Sequence, residues 1–194
     1  MRRRNIACTA ICVLAVLATT AMGPVRSLAQ NYHSDGDEET FTVDVALDGA
    51  TLIVNHVDPT QPANVAFPGD TLFISGTIYP NGKLPSGMAD NDPNEPGGIG
   101  RIRCRALILV QPTDLTTPMA SFVTELYSFR NDNHTIIADG PGANLDATVL
   151  RAVVGGTAQF EGVTGEIIEK NIGMNKTGFC NLRITFHVKR GRKT

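Results

Sequence analysis

The chain has 194 residues, with 17 basic and 19 acidic side chains, a formal net charge of −2, four cysteines and no tryptophan. Proteins that bind nucleic acid normally present a basic face, and here the only basic cluster is a run from Lys189 to Lys193 near the C-terminus. Composition and charge therefore argue against a nucleic-acid-binding protein, and we expect the basic tail to be solvated.

The N-terminal residues 1–29 have the order of a secretory signal peptide. Arg2, Arg3 and Arg4 precede an almost wholly apolar run over residues 6–22, which is shorter than the ~20 residues of a membrane-spanning helix. Small residues before position 30 predict cleavage after Ala29 and a secreted or periplasmic protein with no membrane span after cleavage. The alternative is an uncleaved anchor.

Cleavage would change both the charge and the cysteine content. The segment's four arginines leave, so 17 − 4 = 13 basic residues remain against 19 acidic ones, a balance of 13 − 19 = −6. Of the cysteines only Cys104 and Cys180 remain. In an oxidising compartment they most simply form one disulfide, which we predict. Two buried thiols are the alternative, and a metal site is disfavoured because partner ligands are lacking nearby.

The remainder predicts one all-β domain over residues 41–190, between a flexible acidic leader (30–40) and a short basic tail (191–194). Alternating runs separated by Gly, Pro, Asn and Asp predict strands, and no convincing helix is present. The predicted strands cover residues 41–47, 51–57, 70–79, 101–111, 120–130, 134–138, 148–154, 163–172 and 179–189. This is about enough for a single closed antiparallel barrel of eight strands, which would leave no exposed strand edge.

Side-chain alternation puts Cys104 and Cys180 on the apolar faces of their strands. That placement is compatible with a disulfide between strands and equally with two thiols in the core. The pattern does not choose between them.

Metal and cofactor motifs are missing from the sequence. Asp90, Asp92 and Asn94 imitate the opening of an EF-hand loop, but Glu95 and Arg101 stand where that loop needs glycine and glutamate. The four histidines are not spaced to share one metal. No nucleophile elbow, phosphate-binding glycine loop or Cys-x-x-Cys motif occurs, so we expect no metal and no cofactor.

The most distinctive stretch is AVVGGTAQFEGVTGE, residues 152–166. Gly155 and Gly156 permit a tight reversal after an apolar strand, and Phe160 can plug the turn. The stretch resembles the signature of dirigent proteins and the related allene oxide cyclase-like barrels, although Ala158 stands where that family usually has glycine. PGDTLFISGTIYPNGK, GIGRIRCRALIL, FVTELYSFRNDNHTIIADGP and CNLRITFHV are similar to further strands of the family, so the likeness covers roughly residues 68–188.

The resemblance implies an eight-stranded antiparallel barrel with an apolar cavity, assembled as a homo-oligomer, a trimer or a dimer. It also implies an apolar small-molecule partner and a cyclase, isomerase or coupling guide that consumes no cofactor. It transfers the fold and leaves the catalytic residues unassigned. From strand position we take Tyr79, Glu125, Tyr127 and Arg130 as pocket candidates. The alternative is that Glu125 and Arg130 are solvated outer-face residues and that the tyrosines pack at the rim.

A second hypothesis is a non-catalytic secreted barrel that serves as a structural or protein-interaction module. An eight-stranded barrel can be hollow or filled, depending on the size of its inward side chains. The phenylalanines that could fill it are Phe67, Phe73, Phe122, Phe129, Phe160, Phe179 and Phe186.

Overall fold

The computed structural model describes residues 38–63, 65–110, 120–130, 132–142 and 148–191. The predicted signal peptide, most of the acidic leader and all but the first residue of the basic tail lie outside these ranges. The strands are β1 (Glu38–Asn55), β2 (Thr71–Pro80), β3 (Gly87–Met88), β4 (Gly100–Val110), β5 (Ala120–Phe129), β6 (His134–Pro141), β7 (Thr148–Gly156), β8 (Thr164–Met174) and β9 (Cys180–Lys189). In the described ranges the only helical element is a 3₁₀ turn, Ala158–Phe160. None of the described helices could cross a membrane.

Eight of the strands form a closed antiparallel barrel, as predicted. They follow one another around it in the order β1, β2, β4, β5, β6, β7, β8 and β9, and β9 pairs back onto β1. The two-residue strand β3 is an addition that runs parallel to the last residues of β8. We call the end that holds the β7–β8 turn the glycine end, and the opposite end, with the connection over residues 56–70, the β1–β2 end.

Strand β1 is a single strand where the sequence predicted two. Its register against β2 shifts between Asp48 and Ile53. Asp48 accepts a hydrogen bond from the Ala50 amide at 3.0 Å, and the Thr51 hydroxyl donates to the Asp48 carbonyl at 2.7 Å. These local bonds stabilise a bulge, so that Gly49 and Ala50, which read as a turn, bend a continuous strand.

Aromatic side chains fill the barrel at the glycine end. The Phe41 ring stacks on Phe186 with 4.5 Å between centroids, and Phe129 lies 5.8 Å from Phe160. Tyr127 meets Phe186 edge-on at 4.9 Å. Phe160 is 3% exposed, which confirms that it plugs the turn.

The turn between β7 and β8 has a glycine-like backbone at the position where the sequence departs from the dirigent signature. A Cβ on Gly156 would lie 2.5 Å from the Thr135 carbonyl oxygen, so no larger residue fits there. Ala158, which replaces the usual glycine, has φ 54°, a left-handed conformation that side chains disfavour. The position thus keeps the backbone of a glycine without being one.

The connection from β2 to β4 crosses the outside of the barrel. The Leu84 amide donates to Asp44 Oδ2 at 3.0 Å, and Arg183 Nε donates to Asp44 Oδ1 at 2.9 Å. Beneath it, Tyr79 packs with Leu84 and Ala46 in a second small apolar cluster. This connection therefore hides part of the outer face of β1, β2 and β9.

The predicted disulfide is wrong: no bond joins Cys104 and Cys180. Cys104 lies on β4, whose neighbours are β2 and β5, while Cys180 begins β9, whose neighbours are β1 and β8. The Cys104 thiol lies against Glu125 at 3.8 Å, and Cys180 Sγ accepts a hydrogen bond from Asn171 Nδ2 at 3.7 Å. Both cysteines pack against the apolar core, as alternation predicts, but on strands that do not pair with each other.

Candidate functional site

A cluster of charged side chains lies inside the barrel. Glu125 on β5, Arg151 on β7 and Glu169 on β8 occupy inward-facing positions and are 2%, 3% and 3% exposed. Arg151 stands between the apolar Val149 and Val153 of the same face, and Glu169 follows Ile167 on its face. The alternation that builds the core therefore also carries these three charged groups into it.

Arg151 holds the cluster together. Its Nη1 donates to Glu169 Oε2 at 2.6 Å and to Glu125 Oε2 at 3.1 Å, and its Nη2 donates to Glu169 Oε1 at 3.4 Å. Its Nε donates to the Pro141 carbonyl at 2.9 Å, which fixes the plane of the guanidinium group. Glu169 thus receives the two-pronged contact that best neutralises an arginine, and Glu125 is the second carboxyl group on the same cation.

The excess carboxyl group is kept protonated. Burial and the negative charge of Glu169 raise the pKa of Glu125 from its ordinary 4.5 to about 8, although Arg151 and the Tyr127 hydroxyl act in the opposite direction. Two carboxylates beside one guanidinium group leave one negative charge without a partner in a medium that solvates charge poorly. Near neutral pH the cluster therefore carries a proton on Glu125.

The contacts of Glu125 show where that proton lies. Tyr127 donates to Glu125 Oε2 at 2.5 Å, and Arg151 donates to the same oxygen. The Cys104 thiol is a weak donor to Oε1. Glu125 is also hydrogen-bonded to Glu169, a contact that raises the pKa of Glu125, so the proton lies between these two carboxyl groups while Oε2 is held by its donors.

The neighbours of Glu125 stay in their neutral or cationic forms. Burial and the charge of Glu125 raise the pKa of the Tyr127 phenol and of the Cys104 thiol well above their usual ranges. For Arg151, burial lowers the pKa, but the two glutamates outweigh it and raise the pKa above its usual value. Glu125 is thus the member of the cluster that can exchange a proton near neutral pH.

The four residues taken from the sequence fall in three places. Glu125 and Tyr127 are hydrogen-bonded inside the barrel. Tyr79 is buried on the outer side, where its hydroxyl donates to the Pro93 and Glu95 carbonyls at 3.0 Å. Arg130 is exposed beyond the end of β5, with φ 51°, and borders a surface groove of about 540 Å³.

Sequence reasoning missed Arg151 and Glu169. A signal was available for Arg151, which lies between the apolar Val149 and Val153. For Glu169 the signal is weaker, because Ile167 lies on one side of it and the polar Asn171 on the other. In the sequence alone, each of these charged residues is equally compatible with the solvated face of a strand. Only closure of the barrel brings β7 and β8 near the inward face of β5.

The described residues contain no group of three or more His, Cys, Asp or Glu side chains arranged to hold a metal ion. The cation beside the two glutamates is Arg151.

No family model and no curated protein matches this sequence. Solved structures do match its fold. A pterocarpan synthase dirigent protein is 11% identical with a TM-score of 0.61, covering 81% of this chain and 97% of its own. A pyocyanin demethylase is 17% identical with a TM-score of 0.51, covering 77% and 99%. A heme-binding cyclase that catalyses a cycloaddition during neoabyssomicin biosynthesis is 10% identical with a TM-score of 0.50, covering 81% and 69%. The chain has the dirigent-like barrel fold.

Proposed function

We propose that the barrel binds an apolar small molecule in its interior and that Glu125 exchanges a proton with it, guiding cyclisation or isomerisation without a cofactor. The observation that carries this proposal is the buried Glu125 carboxyl group, whose Oε2 is held by Tyr127 and Arg151 and whose pKa is raised to about 8 by burial and by Glu169. A carboxyl group with a pKa near 8 is close to the ideal for acid–base catalysis near neutral pH.

The electrostatics of the cluster suit proton donation. When Glu125 gives its proton to a bound molecule, the new negative charge on its carboxylate lies beside the Arg151 guanidinium and the Tyr127 hydroxyl. These donors are in place before the reaction, so that no solvent has to reorganise around the charge. Glu169 holds Arg151 in position through two contacts.

The cost of the cluster also favours a function. Burying two carboxyl groups and a guanidinium group usually stabilises a fold no better than well-packed apolar side chains of the same volume. At the glycine end the same interior is filled by Phe41, Phe129, Phe160 and Phe186. A barrel with no catalytic role, which is the alternative hypothesis, would be served as well by continuing that aromatic packing.

The aromatic packing suggests the direction of entry. Because the rings close the glycine end, the ligand in our proposal enters from the β1–β2 end and lies against inward residues there. Those nearest the cluster along their strands are small or aliphatic: Ala138, Val123 and Val149. An apolar molecule matches this lining.

The proposal includes export and self-association. The apolar segment near the N-terminus favours secretion or a periplasmic location. On the outer face, Leu107 and Phe122 lie opposite each other on β4 and β5, beside Phe73, and are 41%, 45% and 37% exposed. We call this the Leu107–Phe122 face, and we propose that a second copy of the chain covers it, because apolar side chains clustered on an exposed sheet favour contact.

Deuterium exchange tests the chemistry with a defined probe. The apolar bicyclic ketone 2-tetralone is incubated in D₂O with the protein, and exchange beside the carbonyl is followed by NMR. We expect the wild type to speed exchange over buffer, and Glu125→Gln to reduce that acceleration at least about tenfold, because general acid–base groups typically contribute 10²–10⁴-fold. Glu166→Gln, on the exposed face of β8, is the matched control and keeps the acceleration. Equal rates for wild type and Glu125→Gln would overturn the proposal.

A further inference from the structure

A histidine–aspartate pair lies at the β1–β2 end, outside the charged cluster. His56 Nδ1 is 2.8 Å from Asp70 Oδ2. Asp70 is fully buried and also accepts hydrogen bonds from the Val57 amide at 2.9 Å and the Phe67 amide at 2.8 Å. The pair therefore orients the imidazole and closes the connection between β1 and β2.

The ionised Asp70 determines which nitrogen of the His56 ring carries a proton. Burial raises the pKa of Asp70, but the amides of Val57 and Phe67 and the His56 ring outweigh it, so the pKa lies below its usual value. An ionised carboxylate only accepts hydrogen bonds, so His56 Nδ1 must carry the proton in the bond between them. In the neutral ring Nε2 is then a bare acceptor.

That acceptor is buried and unused. His56 Nε2 has no hydrogen-bond partner within the described ranges, and neither has the buried Gln61 Oε1 in the same connection. Closure of the β1–β2 connection explains the hydrogen bonds of Asp70 and of His56 Nδ1. It does not explain why His56 Nε2 is buried without a partner. A buried polar atom without a partner destabilises the fold, and a hydrogen-bond donor from a ligand would recover that loss.

The position of the pair connects it to the barrel interior. Ile108 of β4, an inward residue, donates its amide to the Asp70 carbonyl at 3.0 Å and is 1% exposed. Asp70, directly before β2, continues the alternation of Leu72 and of Ile74, which packs against the core and pairs with Cys104. Four residues of strand separate the Ile74 level from Asp70, a rise of about 13 Å.

We infer that His56 is a second polar contact of the binding site, accepting a hydrogen bond at Nε2 from a hydroxyl group on the apolar ligand. This inference rests on the proposed function, since it places one end of the ligand near Glu125. The ligand class it names is an apolar molecule that carries a hydroxyl group, held at the β1–β2 end by His56. Asp70 acts as a positioning residue, because it holds the ring and sets which nitrogen accepts.

Binding of two matched probes tests this. 1-Naphthol can donate a hydrogen bond, whereas 1-methoxynaphthalene has nearly the same apolar body and cannot. We expect the wild type to bind 1-naphthol about tenfold more tightly, the usual worth of one hydrogen bond of about 1.4 kcal/mol. His56→Asn retains an N–H group near the place of Nδ1 for Asp70 but lacks Nε2, so it should bind both probes equally and as weakly as wild type binds the ether.

His187→Asn, on the outer face of β9, is the matched control and keeps the preference. Should His56→Asn fail to fold, ¹⁵N NMR of the wild-type imidazole gives the same answer, since 1-naphthol and not the ether should shift the Nε2 resonance. Equal binding of the probes by wild type, without that shift, would overturn the role of His56 and leave binding of apolar molecules intact. Loss of the exchange chemistry in the tetralone experiment, with the naphthol preference retained, would instead overturn the role of Glu125.

Discussion

Glu125 takes its protonation from its surroundings, and this makes stability depend on pH in a defined direction. Its pKa is about 8 in the folded protein against an ordinary 4.5. Between these values the folded protein holds a proton that the unfolded chain has lost, so the free energy of unfolding falls as pH rises. From about pH 5 to pH 8 we expect the free energy of unfolding of wild type to fall by more than about 1 kcal/mol relative to that of Glu125→Gln. Above that range the difference should change no further.

Urea unfolding of both proteins at each pH measures this difference. Taking wild type against the variant removes the contributions of other titrating groups. Parallel stability curves for the two proteins would contradict the assignment of the buried proton to Glu125.

Ala158 gives a second prediction at a single position. Its φ of 54° strains a side chain that glycine does not have, so Ala158→Gly should leave stability unchanged or raise it by up to about 1 kcal/mol. The matched control is Ala152→Gly in strand β7, which should lower stability by about 0.5–1 kcal/mol. Thermal denaturation of both variants tests this prediction. A clear loss of stability in Ala158→Gly would show that the contacts of the methyl group outweigh the strain of the backbone.

The residues of the candidate site show how much of it could be predicted from the sequence. Alternation puts Glu125 and Tyr127 on one face of one strand, and the structure joins them by a hydrogen bond. Tyr79 lies at the end of a predicted strand, but the β2–β4 connection folds over it, and the long-range packing of a loop leaves no local pattern in the sequence. The roles of Arg151 and Glu169 depend on which strands meet across the barrel, which alternation does not show.

Among the elements, the glycine turn with its buried ring holds one end of the barrel closed. Phe160 contacts the aromatic group of Phe41 and Phe129 and is 3% exposed. Phe160→Ala should therefore cost about 3–5 kcal/mol in the free energy of unfolding. Leu150→Ala, the control on the outer face of β7, should cost under about 1 kcal/mol because that side chain is 55% exposed. Similar losses for the two variants in chemical denaturation would contradict the plug.

The elements themselves were largely readable from alternation and turn residues. Eight of the strands match the predicted runs once the first two are joined, and the bulge at Asp48 explains why they looked separate. The disulfide prediction failed because alternation gives only the face of a side chain and not its distance from another. A bond needs the two Cα atoms within about 7 Å, and β4 and β9, which carry the cysteines, do not pair with each other.

For the whole molecule, the Leu107–Phe122 face predicts the state of association. Phe122→Glu places a charge in that face and should shift an oligomer toward the monomer, because burying an unpaired carboxylate is costly. Met88→Glu, at an exposed position on β3, is the matched control and should leave the mass unchanged. Light scattering coupled to size-exclusion chromatography measures both. A monomeric wild type, or an oligomer that Phe122→Glu leaves intact, would contradict the proposed contact.

The central claim is that the closed barrel holds a protonated carboxylic acid at neutral pH, ready for a bound molecule. A ¹³C NMR titration of the glutamate carboxyl carbons tests it most directly, with the Glu125 signal identified by its absence from Glu125→Gln. The structure predicts a midpoint near pH 8 for that signal. A midpoint near its ordinary 4.5 would mean that Glu125 is ionised under working conditions, and the acid proposed for the reaction would be lost.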